Sequence, residues 1–232
     1  MTKTWLITGV SGGLGREIAL AALARGDIVV GTARKPEAAD VFEALAPGRA
    51  HALVLDVTDE VAVRLGVAAA ETLTGGIDVL VNNAGYGLVG AVEEASLDEV
   101  RAQFETNVLG PLSMLKAVLP AMRARRSGRI INITSVSGLA AWAGTGIYCA
   151  SKWALEGLTQ TLAAEVAELG IKVVNVAPGS LRTDFASGSK TIVKTKIPDY
   201  DGLARDAERI MADHAGHEPG DPAKAALAIL SV

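Results

Sequence analysis

Short apolar runs alternate with longer segments of helical periodicity along this chain, and this alternation restricts its fold more than any other feature. The apolar runs, rich in Val, Ile and Leu, are residues 4–8, 27–33, 50–55, 78–81, 128–134 and 171–177. The helical segments are residues 14–25, 37–46, 59–73, 97–122, 148–169 and 221–230. Strand followed by helix at this regularity predicts an α/β fold of three layers, in which a parallel sheet has helices on both faces.

No change of composition divides the chain, so residues 1–232 are predicted to form a single domain. Residues 186–220 differ from the rest because they mix Ser, Gly, Lys, Thr and Asp with only scattered apolar residues. A helix is expected at residues 203–213. The remainder of this segment is interpreted as a mobile flap that covers the substrate.

The composition argues against several classes of function. A net charge of −4 lacks the basic footprint of nucleic-acid binders, so no nucleic acid is expected as a partner. No uncharged apolar stretch reaches the length of a membrane span, and the first residues resemble a strand rather than a signal peptide. Cys149 is the single cysteine, which leaves no internal disulfide and indicates a cytoplasmic protein. No metal site is expected, and His214 and His217 are interpreted as solvated.

A glycine-rich turn follows the first predicted strand and opens the first helix. Residues 8–15 read TGVSGGLG. Glycines at such a turn let the backbone approach a pyrophosphate, which the helix N-terminus attracts. The alternative is that they only allow the helix to pack tightly on the strand. The candidate cofactor-binding residues of this turn are Gly9, Ser11, Gly12, Gly13, Leu14 and Gly15.

The end of the second strand distinguishes between the two nicotinamide dinucleotides. An NAD site usually places an acidic residue about 20 residues after the turn, where it binds the ribose 2′-hydroxyl. Residues 29–35 read VVGTARK and contain no acid, whereas Arg34, helped by Lys35, suits a 2′-phosphate. A solvated basic loop is the alternative. The sequence therefore favours NADP(H) as the cofactor, with NAD(H) as the second choice.

Tyr148 and Lys152 lie four residues apart in a predicted helix, which places them on one face. An ammonium close to a phenol favours the phenolate, so the pKa of Tyr148 is expected to fall from about 10. Ser135, at a strand end, is expected to hydrogen-bond the reacting oxygen while the tyrosine exchanges the hydroxyl proton. Because Tyr-x-x-x-Lys alone is common in amphipathic helices, this hypothesis depends on Ser135 and the glycine turn.

Four predicted strands end in glycine or polar residues. These ends are Gly9, the NNAG sequence at residues 82–85, Thr134 with Ser135, and Pro178 with Gly179. Ligands of open parallel sheets bind just beyond the carboxyl ends of the strands. The four ends are therefore expected to line one cleft.

These motifs, in this order, resemble those of the short-chain dehydrogenase/reductase family, of its NADP-preferring type. The resemblance extends from residue 3 to about residue 185. It implies a Rossmann fold with strand order 3-2-1-4-5-6. Family members usually continue into a seventh strand, and because this chain stops at Val232, that strand is expected to be absent or lost by truncation. Helices equivalent to residues 97–122 and 148–169 pair with a second subunit in the family, so a homodimer or homotetramer is expected.

The resemblance also implies roles for single residues. It assigns Asp56 and Val57 to the adenine. The cofactor cleft would be formed by Asn83, Ala84 and Gly85, and the nicotinamide and its phosphates would be bound by Pro178, Gly179 and Thr183. Asn107 would join the catalytic residues by bending its helix and holding a water that links Lys152 to solvent. A satisfied buried amide is the alternative for Asn107.

The sequence thus predicts an oxidoreductase that interconverts a ketone or aldehyde and an alcohol, with Tyr148 as acid and base. Ser135, Trp142 and Tyr148 are the candidate substrate-binding residues, although ordinary packing would also explain Trp142. A fairly apolar small molecule is the expected substrate. A 3-oxoacyl-carrier reductase ranks lower because the flap carries no obvious basic docking cluster. A non-catalytic dinucleotide sensor on the same fold is the third hypothesis.

Overall fold

The computed structural model describes residues 2–185 and 188–232. Within these residues the main sheet has six parallel strands, β1 (Thr4–Thr8), β2 (Ile28–Ala33), β3 (Ala50–Val54), β4 (Val79–Asn82), β6 (Gly128–Ile133) and β7 (Ile171–Val176). Two short strands, β5 (Gly87–Val89) and β8 (Lys190–Ile192), pair in parallel as a separate sheet. The main sheet has the order β3-β2-β1-β4-β6-β7. Counted along the chain without β5, this is the predicted order 3-2-1-4-5-6, which is confirmed.

The helices cover both faces of the sheet, as predicted. They are α1 (Gly13–Ala24), α2 (Pro36–Glu43), α3 (Glu60–Thr74), α4 (Leu97–Phe104), α5 (Gly110–Arg125), α6 (Gly146–Glu165), α7 (Leu203–Asp213) and α8 (Pro222–Ile229). One hydrophobic cluster joins one face of the sheet to α1 and α8. A second joins the opposite face to α3, α5 and the end of α6. The strands are apolar on both faces because each face is covered.

Alternate residues of β1 show how one strand serves both clusters. Trp5 and Ile7 pack towards α1 and α8, whereas Leu6 packs towards α3 and α5. All three side chains are at most 2% exposed. Complete burial of side chains of this size contributes about 1.5–3 kcal/mol each. Packing on both faces therefore holds the carboxyl ends of the strands in fixed positions relative to one another.

The helix predicted over residues 97–122 is present, but an irregular turn lies inside it. α4 ends at Phe104, a single wide π turn covers Glu105–Leu109, and α5 starts at Gly110. Such a turn inserts an extra residue into the helical repeat and rotates the side chains that follow. It brings Asn107 inward, where 1% of its surface is exposed. The hydrophobic periodicity on either side is unchanged, which is why the sequence reads as one helix.

The segment predicted as a mobile flap is packed against the rest of the molecule over its described part. We call residues 188–220 the lid. The lid contains β8, a short 3-10 turn at Pro198–Tyr200 and the predicted helix α7. β8 extends the short sheet beside β5, and the Val193 amide donates to the carbonyl of Val89 over 2.9 Å. Residues 186 and 187, which belong to the predicted flap, lie outside the described residues.

β7 forms one edge of the main sheet over the described residues. After the lid, α8 packs beside α1 on the same face of the main sheet. There Ala226 and Ile229 join Ile18 in one hydrophobic cluster. No helix within residues 2–185 and 188–232 combines the length and the apolar character that a membrane crossing requires.

Candidate active site

A cleft of about 1020 Å³ opens at the carboxyl ends of the main strands. The structure brings most of the predicted site residues to its walls. Those that line it are Gly9, Ser11, Gly12, Gly13, Leu14, Arg34, Asp56, Val57, Asn83, Ala84, Gly85, Ser135, Tyr148, Lys152, Pro178, Gly179 and Thr183. Gly15, Asn107 and Trp142 are not among its lining residues. The expected convergence of four strand ends on one cleft is thus observed.

The glycine turn depends on backbone conformations that other residues rarely adopt. Gly9 and Gly13 have φ values of 75° and 56°, in the left-handed region. Gly15 lies behind the cleft wall, where a Cβ would be 2.4 Å from the carbonyl oxygen of Gly9. The first turn of α1 has neither a capping side chain nor an acidic residue. Its N–H groups are consequently available to an anion, which fits the pyrophosphate of a dinucleotide.

The glycine turn is joined to the end of β4 by Thr8 and Asn83. The Thr8 hydroxyl accepts from the backbone amides of Asn83 and Ala84, each over 2.9 Å. The Asn83 amide nitrogen donates back to the carbonyls of Thr8 and Gly9 over 2.9 and 3.2 Å. Asn83 therefore shapes the glycine-turn end of the cleft through its side-chain bonds to the turn. Thr8, which was not among the predicted site residues, has the matching role.

Arg34 follows β2 directly, and its side chain is exposed at the mouth of the cleft. Asp56, after β3, also lines the cleft and accepts from the backbone and hydroxyl of Thr58 over 3.0 and 2.8 Å. These bonds fix the Asp56 carboxylate in place. No acid stands at the tip of β2, so the guanidinium is the charged group nearest along the chain to that strand end.

The segment after β7 lies against the glycine turn. Thr183 Cβ is 3.7 Å from the position of a Cβ on Gly13, and a carboxylate oxygen of Asp184 is 3.5 Å from one on Gly12. The chain after Pro178 therefore crosses in front of the turn. This brings the predicted Pro178, Gly179 and Thr183 to the same cleft as the helix N-terminus.

Tyr148, Lys152 and Ser135 meet at the centre of the cleft. α6 buries Tyr148 and Lys152, which are 8% and 6% exposed. The Lys152 ammonium lies 5.9 Å from the centroid of the tyrosine ring and donates to the carbonyl of Ile133 over 2.9 Å. The side-chain hydroxyl of Ser135 is a hydrogen-bond partner of the Tyr148 phenol. A phenol, an amine and a hydroxyl thus line one part of the cleft.

The expected fall in the pKa of Tyr148 is wrong for the groups that the chain itself supplies. Burial raises the pKa of Tyr148 to about 12, and the hydrogen bond from Ser135 offsets only part of that rise. Burial also lowers the pKa of Lys152 from 10.5 to about 8. Desolvation disfavours the charged form of both groups and is the largest cause of each shift. At neutral pH the tyrosine is therefore a phenol and Lys152 is largely charged.

Asn107 lies behind the cleft wall. Its carbonyl accepts from the Tyr86 amide over 3.1 Å, and its nitrogen donates to the Tyr86 carbonyl over 2.9 Å and to the Ser151 hydroxyl over 3.2 Å. A Cβ on Gly85 would be 3.0 Å from the Asn107 carbonyl oxygen and 3.8 Å from the Lys152 ammonium. The helix irregularity expected at Asn107 is observed. Its direct hydrogen bonds match the alternative of a satisfied buried amide.

Gln103 is a second buried amide of the same helix, and it was not among the predicted site residues. It is 0% exposed, donates to the Tyr86 carbonyl over 2.8 Å and accepts from the Leu88 amide over 2.7 Å. Gln103 and Asn107 together hold the backbone of Tyr86, whose side chain lines the cleft. A glutamine between apolar helical positions was the available signal for this contact.

The end of the cleft that was expected to hold the substrate differs from the prediction in its lining residues. Trp142 is 50% exposed and outside the cleft lining, in a surface loop where its carbonyl accepts from the Thr145 hydroxyl over 3.0 Å. The apolar lining comes instead from Tyr86 and from Phe185, whose ring centroid is 5.8 Å from that of Tyr148. Further lining residues come from α7 and its end, namely Ile210, Met211 and His214.

Known proteins resemble this chain over nearly its whole length. A family model described as short chain dehydrogenase matches residues 3–192. Oxidoreductase BOA17 of Botryotinia fuckeliana is 40% identical over all of this chain and 85% of that protein. A short-chain dehydrogenase from Streptomyces avermitilis is 46% identical, with a TM-score of 0.91 over 98% of this chain and 83% of that one. ElxO, solved with NADP bound, is 30% identical, with a TM-score of 0.81 over 99% and 90%.

Proposed function

Because the chain belongs to the short-chain dehydrogenase family of NAD(P)-dependent oxidoreductases, we propose that it transfers a hydride between NADP(H) and a ketone or alcohol carbon. The observation that carries this proposal is the meeting of Ser135, Tyr148 and Lys152 in the same cleft as the glycine turn. A purely structural cleft has no need of a buried amine beside a buried phenol. A site for proton transfer, by contrast, needs such a pair of titratable groups.

The cofactor would lie along the cleft from the tip of β2 to Tyr148. The N-terminus of α1 would hold the pyrophosphate, because its first turn lacks both a cap and an acid. Arg34 would pair with the 2′-phosphate through its planar guanidinium. When bound, the dinucleotide supplies or accepts the hydride. The NADP bound to ElxO, a relative at 30% identity, supports this cofactor for the present chain.

The chain's own residues would handle the proton. In reduction, the Ser135 hydroxyl donates a hydrogen bond to the carbonyl oxygen of the substrate and orients it. Tyr148 then gives its phenolic proton to that oxygen as the carbon receives the hydride. A pKa of about 12 keeps the tyrosine protonated at neutral pH, which suits this direction. The Lys152 ammonium stabilises the phenolate that remains.

The lining of the substrate end favours an apolar carbonyl compound. Two aromatic rings, those of Tyr86 and Phe185, and two aliphatic side chains, those of Ile210 and Met211, contribute to it. Such a wall gives affinity through burial of apolar surface and leaves orientation to the few polar groups. We therefore propose a medium-sized ketone or secondary alcohol as substrate.

An activity assay with matched cofactors tests this function. The protein is incubated with NADPH or NADH and a panel of apolar and polar ketones, and consumption of the reduced cofactor is followed. We expect turnover of apolar ketones with NADPH as the preferred cofactor. Arg34→Ala should weaken NADPH binding by about tenfold or more while leaving NADH binding nearly unchanged. Equal use of both cofactors, or no effect of Arg34→Ala, would contradict the NADP(H) proposal.

We also propose a homodimer or homotetramer. Leu109, at the end of the π turn before α5, and Trp153, on α6, are 44% and 52% exposed. Apolar side chains of this size on neighbouring helical faces are typical of subunit contacts. Light scattering of the purified protein measures the mass directly. A monomer at micromolar concentration would refute the proposal.

A further inference from the structure

Glu94 is a buried carboxylate outside the cleft, and the proposed chemistry does not use it. It lies in a 3-10 turn at Val92–Glu94, shortly after β5, and it is 1% exposed. Glutamate is almost never buried to this degree unless it is paired. The partners of Glu94 therefore show what its charge does.

Both carboxylate oxygens of Glu94 are fully used. Oε2 accepts from the Ala91 amide over 2.9 Å and from Arg205 Nη1 over 2.8 Å. Oε1 accepts from the Ile197 amide over 2.7 Å and from Arg205 Nη2. The guanidinium thus makes a two-pronged contact, which fixes orientation as well as distance. The Arg205 guanidinium, assisted by the amides of Ile197 and Ala91, holds the pKa of Glu94 well below its usual range.

Two of these three partners belong to the lid. Ile197 lies just before the lid's 3-10 turn, and Arg205 lies in the first turns of α7. Arg205 is held on its other side by Asp201, 3.2 Å from its Nε atom. One carboxylate of the main body therefore fixes two points of the lid at once.

Two further contacts between the lid and the body favour a single orientation of the lid. Ala204 packs on Gly144, where a Cβ would be 2.6 Å from the Ala204 carbonyl oxygen. Val193 packs on Gly90, where a Cβ would be 2.1 Å from one of its methyl groups. The lid is therefore in close contact with the body at both glycines.

α7 connects this anchor to the substrate end of the cleft. Ile210 and Met211, which line the cleft, follow Arg205 by five and six residues in the same helix, and His214 follows at its end. At a rise of about 1.5 Å per residue, the lining residues lie roughly 7–14 Å from the anchor. Any tilt of α7 about Arg205 would displace them relative to Tyr148.

We propose that Glu94 is a positioning residue for the substrate, which acts by holding α7 over the substrate end of the cleft. An apolar pair could join lid and body without directional bonds, whereas four hydrogen bonds to one carboxylate specify a single orientation. The wall formed by Ile210 and Met211 then meets an apolar ketone at a fixed distance from the reacting oxygen. This inference rests on the proposed function for its kinetic test, and a second test is independent of catalysis.

The kinetic test compares Glu94→Gln and Arg205→Met with the matched control Arg209→Gln. Arg209 lies on the same helix, but its ion pair with Asp206 is exposed and does not reach Glu94. We expect the two anchor variants to raise KM for the ketone by about tenfold or more, with a smaller change in kcat. The Kd for NADPH, measured by fluorescence titration, should change by less than about threefold. Arg209→Gln should match the wild type, and Arg205→Lys should recover part of the loss.

The second test is limited proteolysis with trypsin, which requires no substrate. The lid carries exposed Lys194 and Lys196, and release of α7 should make cleavage there faster in Glu94→Gln than in the wild type. Faster cleavage without any detectable turnover in any variant would support the anchor and refute the proposed function. Unchanged cleavage together with unchanged KM in Glu94→Gln would overturn the inference. If circular dichroism shows that Glu94→Gln does not fold, Arg205→Met provides the same comparison.

Discussion

The glycine turn and the lid enclose opposite ends of one cleft, and they are held by different means. The turn is held by left-handed backbone at Gly9 and Gly13 and by short bonds to neighbouring strand ends. The lid is held by side chains far apart in sequence, since Glu94 and Arg205 are separated by 111 positions. The comparison teaches that the backbone conformation of the turn is encoded in its own glycines, although Asn83, 75 positions from Thr8, joins the turn to β4. The lid, by contrast, is held in place only through partners distant in sequence.

The largest expected effect is at the glycine turn. In Gly15→Ala, the new methyl group would meet the Asn83 side chain at 2.3 Å and the Gly9 backbone at 2.4 Å. We expect the free energy of unfolding to fall by about 2–3 kcal/mol because the backbone must shift. NADPH affinity should fall with it. Urea denaturation and fluorescence titration measure the two losses.

Gly12→Ala is the matched control for this prediction. Its nearest contact would be at 3.5 Å, an ordinary van der Waals distance, and its φ lies close to 180°. We expect its stability to stay within about 0.5 kcal/mol of the wild type. If both variants were equally stable, the argument that local backbone geometry holds the cofactor end would be wrong.

The next effect concerns Lys152, which lies between the two ends. Its pKa, lowered from 10.5 to about 8, corresponds to roughly 3 kcal/mol of lost stability at neutral pH. Lys152→Met removes this penalty but also the bond to the Ile133 carbonyl, which is worth about 1 kcal/mol. We therefore expect a net gain of about 2 kcal/mol in unfolding free energy at pH 7, with loss of activity.

The pH dependence of stability shows whether the gain in Lys152→Met comes from removal of a buried charge or from better packing. Between about pH 8 and 10.5 the unfolded chain binds a proton at Lys152 that the folded chain does not, so wild-type stability rises with pH relative to the variant. The advantage of Lys152→Met should shrink across that range. Lys172→Met, at an exposed position of β7, is the control and should show no such trend. A constant advantage of Lys152→Met from pH 7 to 10 would exclude burial of charge as its cause.

The smallest effect on global stability is expected at the lid. In Glu94→Gln, hydrogen exchange of the Ile197 and Val193 amides should accelerate by about tenfold or more, because the lid opens without unfolding the sheet. Exchange of the Leu6 amide in β1 should stay the same. Equal acceleration at both places would mean that lid and sheet unfold together, and the comparison between the two ends would fail.

The sequence predicted those parts of the fold that depend on neighbouring residues. Continuous apolar runs predict the strands of the main sheet. The spacing of the glycines predicts the turn at Gly9 and Gly13. Tyr148 and Lys152 were found because helical geometry places residues four apart on one face. In each case the signal and the structure lie within one short stretch of chain.

What was missed depends on partners distant in sequence. β5 and β8 are three residues long and are strands only because they meet each other. The bonds of Gln103 join α4 to Tyr86 and Leu88, and apolar periodicity does not reveal such contacts. Trp142 was assigned to the cleft because it lies between Ser135 and Tyr148 in sequence, yet its loop leads to the surface.

The pKa of Tyr148 was predicted in the wrong direction for a similar reason. The proximity of Lys152 is visible in sequence, but the extent of burial is not. Desolvation acts on both groups at once, so the lysine that should stabilise a phenolate has its own charge disfavoured. Only the packed structure shows which effect is larger.

The central claim is that Tyr148 transfers the proton, and Tyr148→Phe tests it most directly. The variant removes one hydroxyl and keeps the ring beside Phe185. We expect it to bind NADPH as the wild type does, while ketone reduction falls by a factor of about 10²–10⁴. A variant that binds NADPH and retains full turnover would contradict the account.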